Sequence, residues 1–303
     1  VTSPPSLPDF YIVGAPKSGT SALYHYLDAH PAVAMSREKE PSYWSDDIPK
    51  RGQTATLDAY YDQWRGAPAA AMRGEASVWY VYSAVAIPRI LAATPEARFI
   101  LMLRNPVDMA QAWHAQLLRS FDENVGSFEK AWRLQEERRG GRRIPPECFN
   151  PHHLQYQSIC ALAEPLERFV RLVPAQQRLT LLFEDFAAAP SATYRDVLRF
   201  LDLPDDGRRD FPKVNAHRRP RHAWMTNLHR AAPRLLGRAY APLRRAARTI
   251  GLHPSAGLNL LNVAQGPRPP LRPVFRAELV EAFAPEVDRI EAILARNLPA
   301  WRE

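Results

Sequence analysis

A chain of 303 residues, 46% hydrophobic and 24% charged, is long and apolar enough to bury a sizeable core. That composition excludes a wholly disordered chain, a collagen-like repeat and a small disulfide scaffold, and no apolar run approaches the roughly 18–20 residues of a membrane span. The net charge of +8 predicts attraction to anions without saying which.

Residues 1–8 are rich in Pro and Ser and read as a flexible lead-in. The rest, 9–303, reads as one domain. Phe10–Val13 is a short apolar run of the buried-strand kind, and Gly14–Thr20 is a tight loop. Ser21–Ala29 has helical spacing, with Leu23, Tyr26 and Leu27 on one face. Ala32–Met35 is a second strand, and residues 57–65 and 83–93 are helical. Arg98–Leu103 is the clearest later strand. The helix Pro106–Arg119 follows it, with Pro in its first turn. Ser127–Arg139 is a polar amphipathic helix, and His153–Leu172 a long helix interrupted near Pro165. Arg178–Phe183 is a strand and Ser191–Leu201 a helix. Residues 204–225 read as a long loop, 230–249 as a basic amphipathic helix, and 271–297 as one or two helices. The alternation predicts an α/β fold, a three-layer α/β/α arrangement around a central parallel sheet.

The basic residues are lopsided, with five lysines (Lys17, Lys39, Lys50, Lys130, Lys213) among 40 Lys and Arg. A GC-rich genome gives such a bias, so a lysine in a special place is more informative than another arginine. The loop after the first strand holds one. A loop that opens a helix presents backbone N–H groups to an anion. Ser18-Gly19-Thr20-Ser21 adds small size and hydroxyls, and Lys17 a mobile charge. This is P-loop-like but not a nucleotide P-loop, because Lys17 precedes Gly19 by two residues and the strand 98–103 ends in Arg104, not in a magnesium-binding aspartate. Cys148 and Cys160 suggest neither a disulfide framework nor a metal site. They fit a reducing compartment; with no secretory signal legible, the expectation is a cytoplasmic protein. The chain opens on Val1 rather than Met, as either a trimmed chain or a domain cut from a longer protein would.

Gly14-Ala15-Pro16-Lys17-Ser18-Gly19-Thr20-Ser21 resembles the 5′-phosphosulfate loop of the sulfotransferases, which use 3′-phosphoadenosine 5′-phosphosulfate (PAPS) as donor. Arg104-Asn105-Pro106-Val107-Asp108 resembles the family's 3′-phosphate motif. Lys39-Glu40-Pro41-Ser42-Tyr43-Trp44, Gly74-Glu75-Ala76-Ser77, Leu182-Phe183-Glu184-Asp185-Phe186 and Leu298-Pro299-Ala300-Trp301 resemble segments of the bacterial and heparan sulfate/carbohydrate branch. The likeness runs from about residue 9 to 301.

The resemblance implies transfer of a sulfuryl group to an acceptor hydroxyl on a sugar, a lipid or polyketide, or another small metabolite. The other product is 3′-phosphoadenosine 5′-phosphate (PAP), and no metal is needed. Lys17 matches the lysine that stabilises the leaving phosphate, and Glu40 the glutamate that takes the acceptor's proton, which favours an alcohol over a phenol. Ala15, Pro16, Ser18, Gly19, Thr20 and Ser21 would hold the 5′-phosphate and Arg104 the 3′-phosphate. Lys213, Arg218, Arg219 and Arg221 lie where the family has a basic loop over the donor, and Arg218 and Arg219 are singled out. Tyr43, Trp44, Trp79 and Tyr80 are candidates for the acceptor cleft, against a reading as core aromatics. Two positions depart from the pattern. Ala112 stands where the family has a phosphate-binding Ser, with Gln111 and His114 as nearby substitutes, and Ala76 stands where some heparan sulfate enzymes have Lys.

Each residue also has a plainer reading. Glu40 closes the charge run Arg37-Glu38-Lys39-Glu40, which alone reads as a solvated turn, and Arg104 has Asp108 as an alternative partner. His114 reads as a helix-face histidine, and His152-His153 is too sparse for a metal site. For the whole chain the alternatives are a non-enzymatic nucleic-acid-binding protein, a membrane-surface protein docking through 230–249, and a nucleotide kinase. No recognition motif supports the first, Pro233 and Pro242 interrupt the second, and the missing magnesium ligands oppose the third. Acceptor identity and oligomeric state are not legible.

Overall fold

A computed structural model describes residues 7–50, 52–212, 218–220, 263–265 and 270–303. The chain opens with β1 (Phe10–Gly14), α1 (Thr20–Asp28) and β2 (Val33–Met35). Then come α2 (Leu57–Tyr61), which tightens into a 3₁₀ turn at Asp62–Trp64, β3 (Met72–Ala76) and α3 (Ala86–Ala93). β4 (Arg98–Leu103) and α4 (Pro106–Ser120) follow, then α5 (Phe128–Arg133), α6 (Gln135–Arg139), α7 (Tyr156–Cys160) and α8 (Ala163–Leu172). The later elements are β5 (Arg178–Leu182), α9 (Phe183–Ala188), α10 (Pro190–Phe200), β6 (Arg218–Pro220), β7 (Val263–Gln265) and α11 (Pro273–Leu294).

The main sheet has the order β2-β3-β1-β4-β5 with every pairing parallel. The alternation of side chains along a strand divides its residues between two faces. Tyr11, Val13, Phe99, Leu101 and Leu103 join one buried cluster, which α3, α4, α7, α8 and α11 cover. Phe10, Ile12, Ile100 and Met102 join the other, under α1 and α10. The α/β expectation therefore holds, with helices on both faces of a parallel sheet. β1 lies centrally, and the chain runs from it first to β2 on one side and later to β4 on the other. In such sheets ligands bind beyond the carboxyl ends of the strands near that reversal.

α4 shows how the sequence starts a helix. The Asn105 side chain accepts from the Val107 N–H, Pro106 occupies the first turn, and Asp108 favours the positive end of the dipole.

Several expected elements differ. Strand β3 has no apolar run to announce it, since Met72-Arg73-Gly74-Glu75-Ala76 is polar at its centre. It forms because it fills the gap between β1 and β2, where Glu75 finds hydroxyl partners. The helix expected at 127–139 is two short helices meeting at Leu134. The break expected near Pro165 lies earlier, at Ala161-Leu162; Pro165 sits in the first turn of α8, where its missing N–H costs nothing. The long loop expected at 204–225 contains β6, paired antiparallel with β7. The one or two helices expected at 271–297 are one, which continues through Pro285. The lead-in 1–6, Lys213, Arg221 and the basic segment 230–249 lie outside the described residues.

Gly74 is where β1, β2 and β3 crowd together. A Cβ there would lie 2.2 Å from Phe10 Cζ and 2.5 Å from Met35 Sδ. Gly74→Ala is therefore expected to cost about 1–3 kcal/mol through overpacking, read as a lower urea midpoint. A midpoint equal to the parent's would contradict this packing.

Candidate active site

The loop leaving β1 is built around two left-handed residues, Lys17 (φ 64°) and Gly19 (φ 92°). Gly19 is required for space as well, because a Cβ would come within 2.9 Å of the Phe183 ring. The Ala15 N–H donates to the Met102 carbonyl at 2.7 Å, and the buried Ser18 turns its hydroxyl inward to the Pro16 carbonyl at 3.4 Å. The first N–H groups of α1 have no intrahelical partner by construction, and no side chain caps them.

Arg104, at the end of β4, braces this loop from behind. Its Nη1 donates to the Lys17 carbonyl at 2.8 Å, and its guanidinium lies 4.2 Å from the centre of the Phe183 ring. Burial pulls its pKa down, against the opposing charges of Asp108 and Glu184. Asp108 is ion-paired elsewhere, with Arg276 at 3.0 Å. The Arg104 Nε is buried without a hydrogen-bond partner among the described residues. Arg104 itself does not line the cavity described below.

Glu40 lies on the loop after β2. Its N–H donates to the Ala76 carbonyl at 2.9 Å, so it is anchored to the end of β3, and its carboxylate pairs with Lys39 at 2.7 Å. Glu40 and Ser42 both have positive φ, at 74° and 57°. Such backbone persists only where the surroundings fix it. Here the fixing group is Glu75, which is fully buried. It accepts from Ser77 Oγ at 2.5 Å, from Tyr80 at 3.2 Å and from Tyr60. Those hydroxyls in turn accept from the Glu40 loop. The Ser42 N–H donates to Ser77 Oγ at 3.0 Å, the Trp44 N–H to Tyr80 at 3.3 Å, and the Trp44 indole to Tyr60 at 3.0 Å. Burial pushes the Glu75 pKa up to about 7, against the pull of the three hydroxyls and the Lys50 charge.

The two loops face each other across a cavity of about 380 Å³. Of the residues singled out in the sequence, it brings together Pro16, Lys17, Thr20, Ser21, Glu40 and Trp79. Ala15, Ser18 and Gly19 shape the loop without lining the cavity. Tyr80 is fully buried and spends its hydroxyl on Glu75, while Tyr43 and Trp44 wall a separate pocket with Arg89. For Arg218 and Arg219 only the backbone pairing in β6 is described.

The α4 wall carries the Ala112 departure. Neither suggested substitute lines the cavity; His114 is buried with its Nε2 2.9 Å from the Val125 carbonyl. One turn beyond Ala112, Gln116 does line it and accepts from Lys17 Nζ at 3.4 Å. Lys50 and Trp113, which the sequence reading did not single out, and His153, which it weighed only as a metal ligand, line the same cavity. His153 stacks on Trp79 with ring centres 4.9 Å apart. Only the scarcity of lysine could have drawn attention to Lys50. Together these groups place an anion cradle, a lysine cation and a carboxylate around one space, which is what moving an anionic group onto a proton-bearing acceptor requires.

A family model described as "Sulfotransferase family" matches residues 81–207, a span that includes Arg104 and Glu184 but neither Lys17 nor Glu40. A crystallised sulfotransferase from Alicyclobacillus acidocaldarius is 27% identical, with a TM-score of 0.70 over 98% of this chain and 100% of that one. The human bifunctional heparan sulfate N-deacetylase/N-sulfotransferase 2 is 26% identical over 208 residues, 65% of this chain and 22% of its own length. The membrane-associated sulfotransferase kil1 of Dictyostelium discoideum is 31% identical over 106 residues, 34% of this chain and 21% of its own. The chain thus spans about a fifth of the length of these two curated relatives. Among the described residues no helix is long and apolar enough to cross a membrane.

The buried Glu75 gives a pH signature. Its folded pKa of about 7 lies above the ordinary unfolded value of about 4.3. Between those values the folded state binds more protons than the unfolded, so stability falls as pH rises through that window and levels off above it. Glu75→Gln is expected to remove this fall. Urea midpoints at pH 5 and pH 8 read it, as a decline in the parent that is absent from the variant; equal declines in both would sink the assignment to Glu75.

Proposed function

The chain belongs to the sulfotransferase family, and on that premise we propose that it moves a sulfuryl group from PAPS to an acceptor hydroxyl. The observation that carries this reading is the meeting of Lys17 and Glu40, from loops after different strands, in one cavity.

In this scheme the bond from sulfur to the bridging phosphate oxygen breaks while a bond from sulfur to the acceptor oxygen forms. Negative charge gathers on the leaving phosphate, which the Lys17 ammonium neutralises. The acceptor oxygen becomes acidic as it is sulfated, and its proton passes to the Glu40 carboxylate. The α1 N-terminus, with Thr20 and Ser21, holds the 5′-phosphate, and Arg104, behind the same loop, is the group assigned to the 3′-phosphate by the resemblance of its motif. Arg218 and Arg219 are assigned to the donor by the resemblance alone. Trp79, stacked with His153, offers the acceptor an aromatic wall suited to a sugar or an apolar ring. The free thiols of Cys148 and Cys160 agree with a cytoplasmic setting.

PAP binding, measured by calorimetry without magnesium, tests the donor site. The parent is expected to bind in the micromolar range, and Lys17→Ala and Arg104→Ala each to weaken binding at least about tenfold, since each removes a charge-assisted contact. No binding to the parent would overturn the reading, and tight DNA binding in its place would favour the nucleic-acid alternative. Glu40→Gln should leave PAP affinity near the parent's while lowering turnover of PAPS with a hydroxyl acceptor by roughly 10²–10⁴-fold.

A further inference from the structure

Lys50 enters the cavity from the segment that follows Trp44, and it faces the Glu40 loop. Its Nζ donates to Ser45 Oγ and, at 3.4 Å, to the Ser42 carbonyl. The Gln53 amide donates to that same carbonyl at 3.0 Å. Ser42 is two residues from Glu40, and both are held left-handed. Lys50 therefore clips the backbone that aims Glu40. The acidic groups within its electrostatic reach are Glu40, Glu75 and Asp47, and its Nζ lies 5.7 Å from the centre of the Tyr80 ring. Lys17 and Lys39 line the same cavity, as do Arg119 and Asp122.

We propose that Lys50 is a positioning residue for the sulfuryl transfer: it fixes the Glu40 loop through the Ser42 carbonyl and offsets the combined charge of Glu40 and Glu75. The proposal rests on the reading of Glu40 as the group that takes the acceptor's proton. Burial lowers the Lys50 pKa to about 8, although all three carboxylates push it the other way. The charged form is the one that offsets the carboxylates. Activity is then lost as pH rises through about 8, with Lys50 setting the alkaline limb.

Five lysines make a direct test practicable. In protein labelled with lysine carrying ¹³C at Cε, the signal missing from Lys50→Arg belongs to Lys50. It is expected to titrate near 8 in the parent and lower in Glu40→Gln, where an attracting charge is gone. In turnover of PAPS with an acceptor found by screening, Lys50→Met should lower kcat about ten- to a hundredfold, the scale of a misplaced reacting group, with KM for PAPS and PAP affinity near the parent's. Lys50→Arg should restore most of kcat and remove the limb near 8, because a guanidinium stays charged. A Lys50 signal that ignores Glu40→Gln would overturn the proposal, as would parent-like kcat and pH profile in Lys50→Met. Equal losses in the Met and Arg variants with an unchanged limb would assign Lys50 to the fold alone and overturn it too. Failure of the parent to bind PAP is a separate outcome, which strikes the donor reading instead.

Discussion

One buried carboxylate organises this site. Three hydroxyls, from Tyr60, Ser77 and Tyr80, each give their single proton to Glu75, and each accepts a hydrogen bond from the loop 42–44. A hydroxyl that donates to a carboxylate becomes a better acceptor, so each two-step chain is stronger than its separate bonds. The Glu40 loop has no regular structure of its own and includes two left-handed residues, so these chains supply what a helix or strand would otherwise provide. A carboxylate also needs a reason to be buried, and the three hydroxyls with the nearby Lys50 charge are that reason.

The sheet decides where everything else meets. The Lys17 loop, the Glu40 loop, the segment 77–80, Arg104 and Phe183 all follow directly on strand ends, at the same edge of the parallel sheet. The two sides of the cavity therefore belong to different strand–loop units and are held in register by β1 between β3 and β4. Lys17 is stiffened from beneath by Arg104 and from the side by α4 through Gln116, and Glu40 by β3.

The strands that serve both faces were legible because their residues are apolar almost throughout; β1 and β4 are of this kind. β3 was not, because Glu75 is compatible with burial only when residues 60, 77 and 80 come to it, and no window of neighbouring residues shows that. That Lys17 and Glu40 would face one cavity was legible through the motifs around them. The charge run 37–40 shows the limit of local reading: it looks like a solvated turn, yet its last residue is bonded to the end of β3. Lys50 was hidden for a related reason, since it stands in the polar stretch after Asp46-Asp47, and only the fold carries it back to Ser42. On the α4 wall the residue that reaches the cavity beside Ala112 is Gln116, four positions on, because a helix brings residues one turn apart to the same face.

The Arg104 guanidinium grips the main-chain carbonyl of residue 17, not its side chain. The mould and the working group are thus separable: the loop takes its shape from its backbone, its glycine and the arginine behind it, for any side chain at position 17 that accepts the left-handed backbone there. A lineage carrying this scaffold can exchange the cation at that position without rebuilding the cradle. The same independence means that a change at residue 17 strips the loop of its charge, and so of part of its hold on an anion, while the outline of the cradle stays standing.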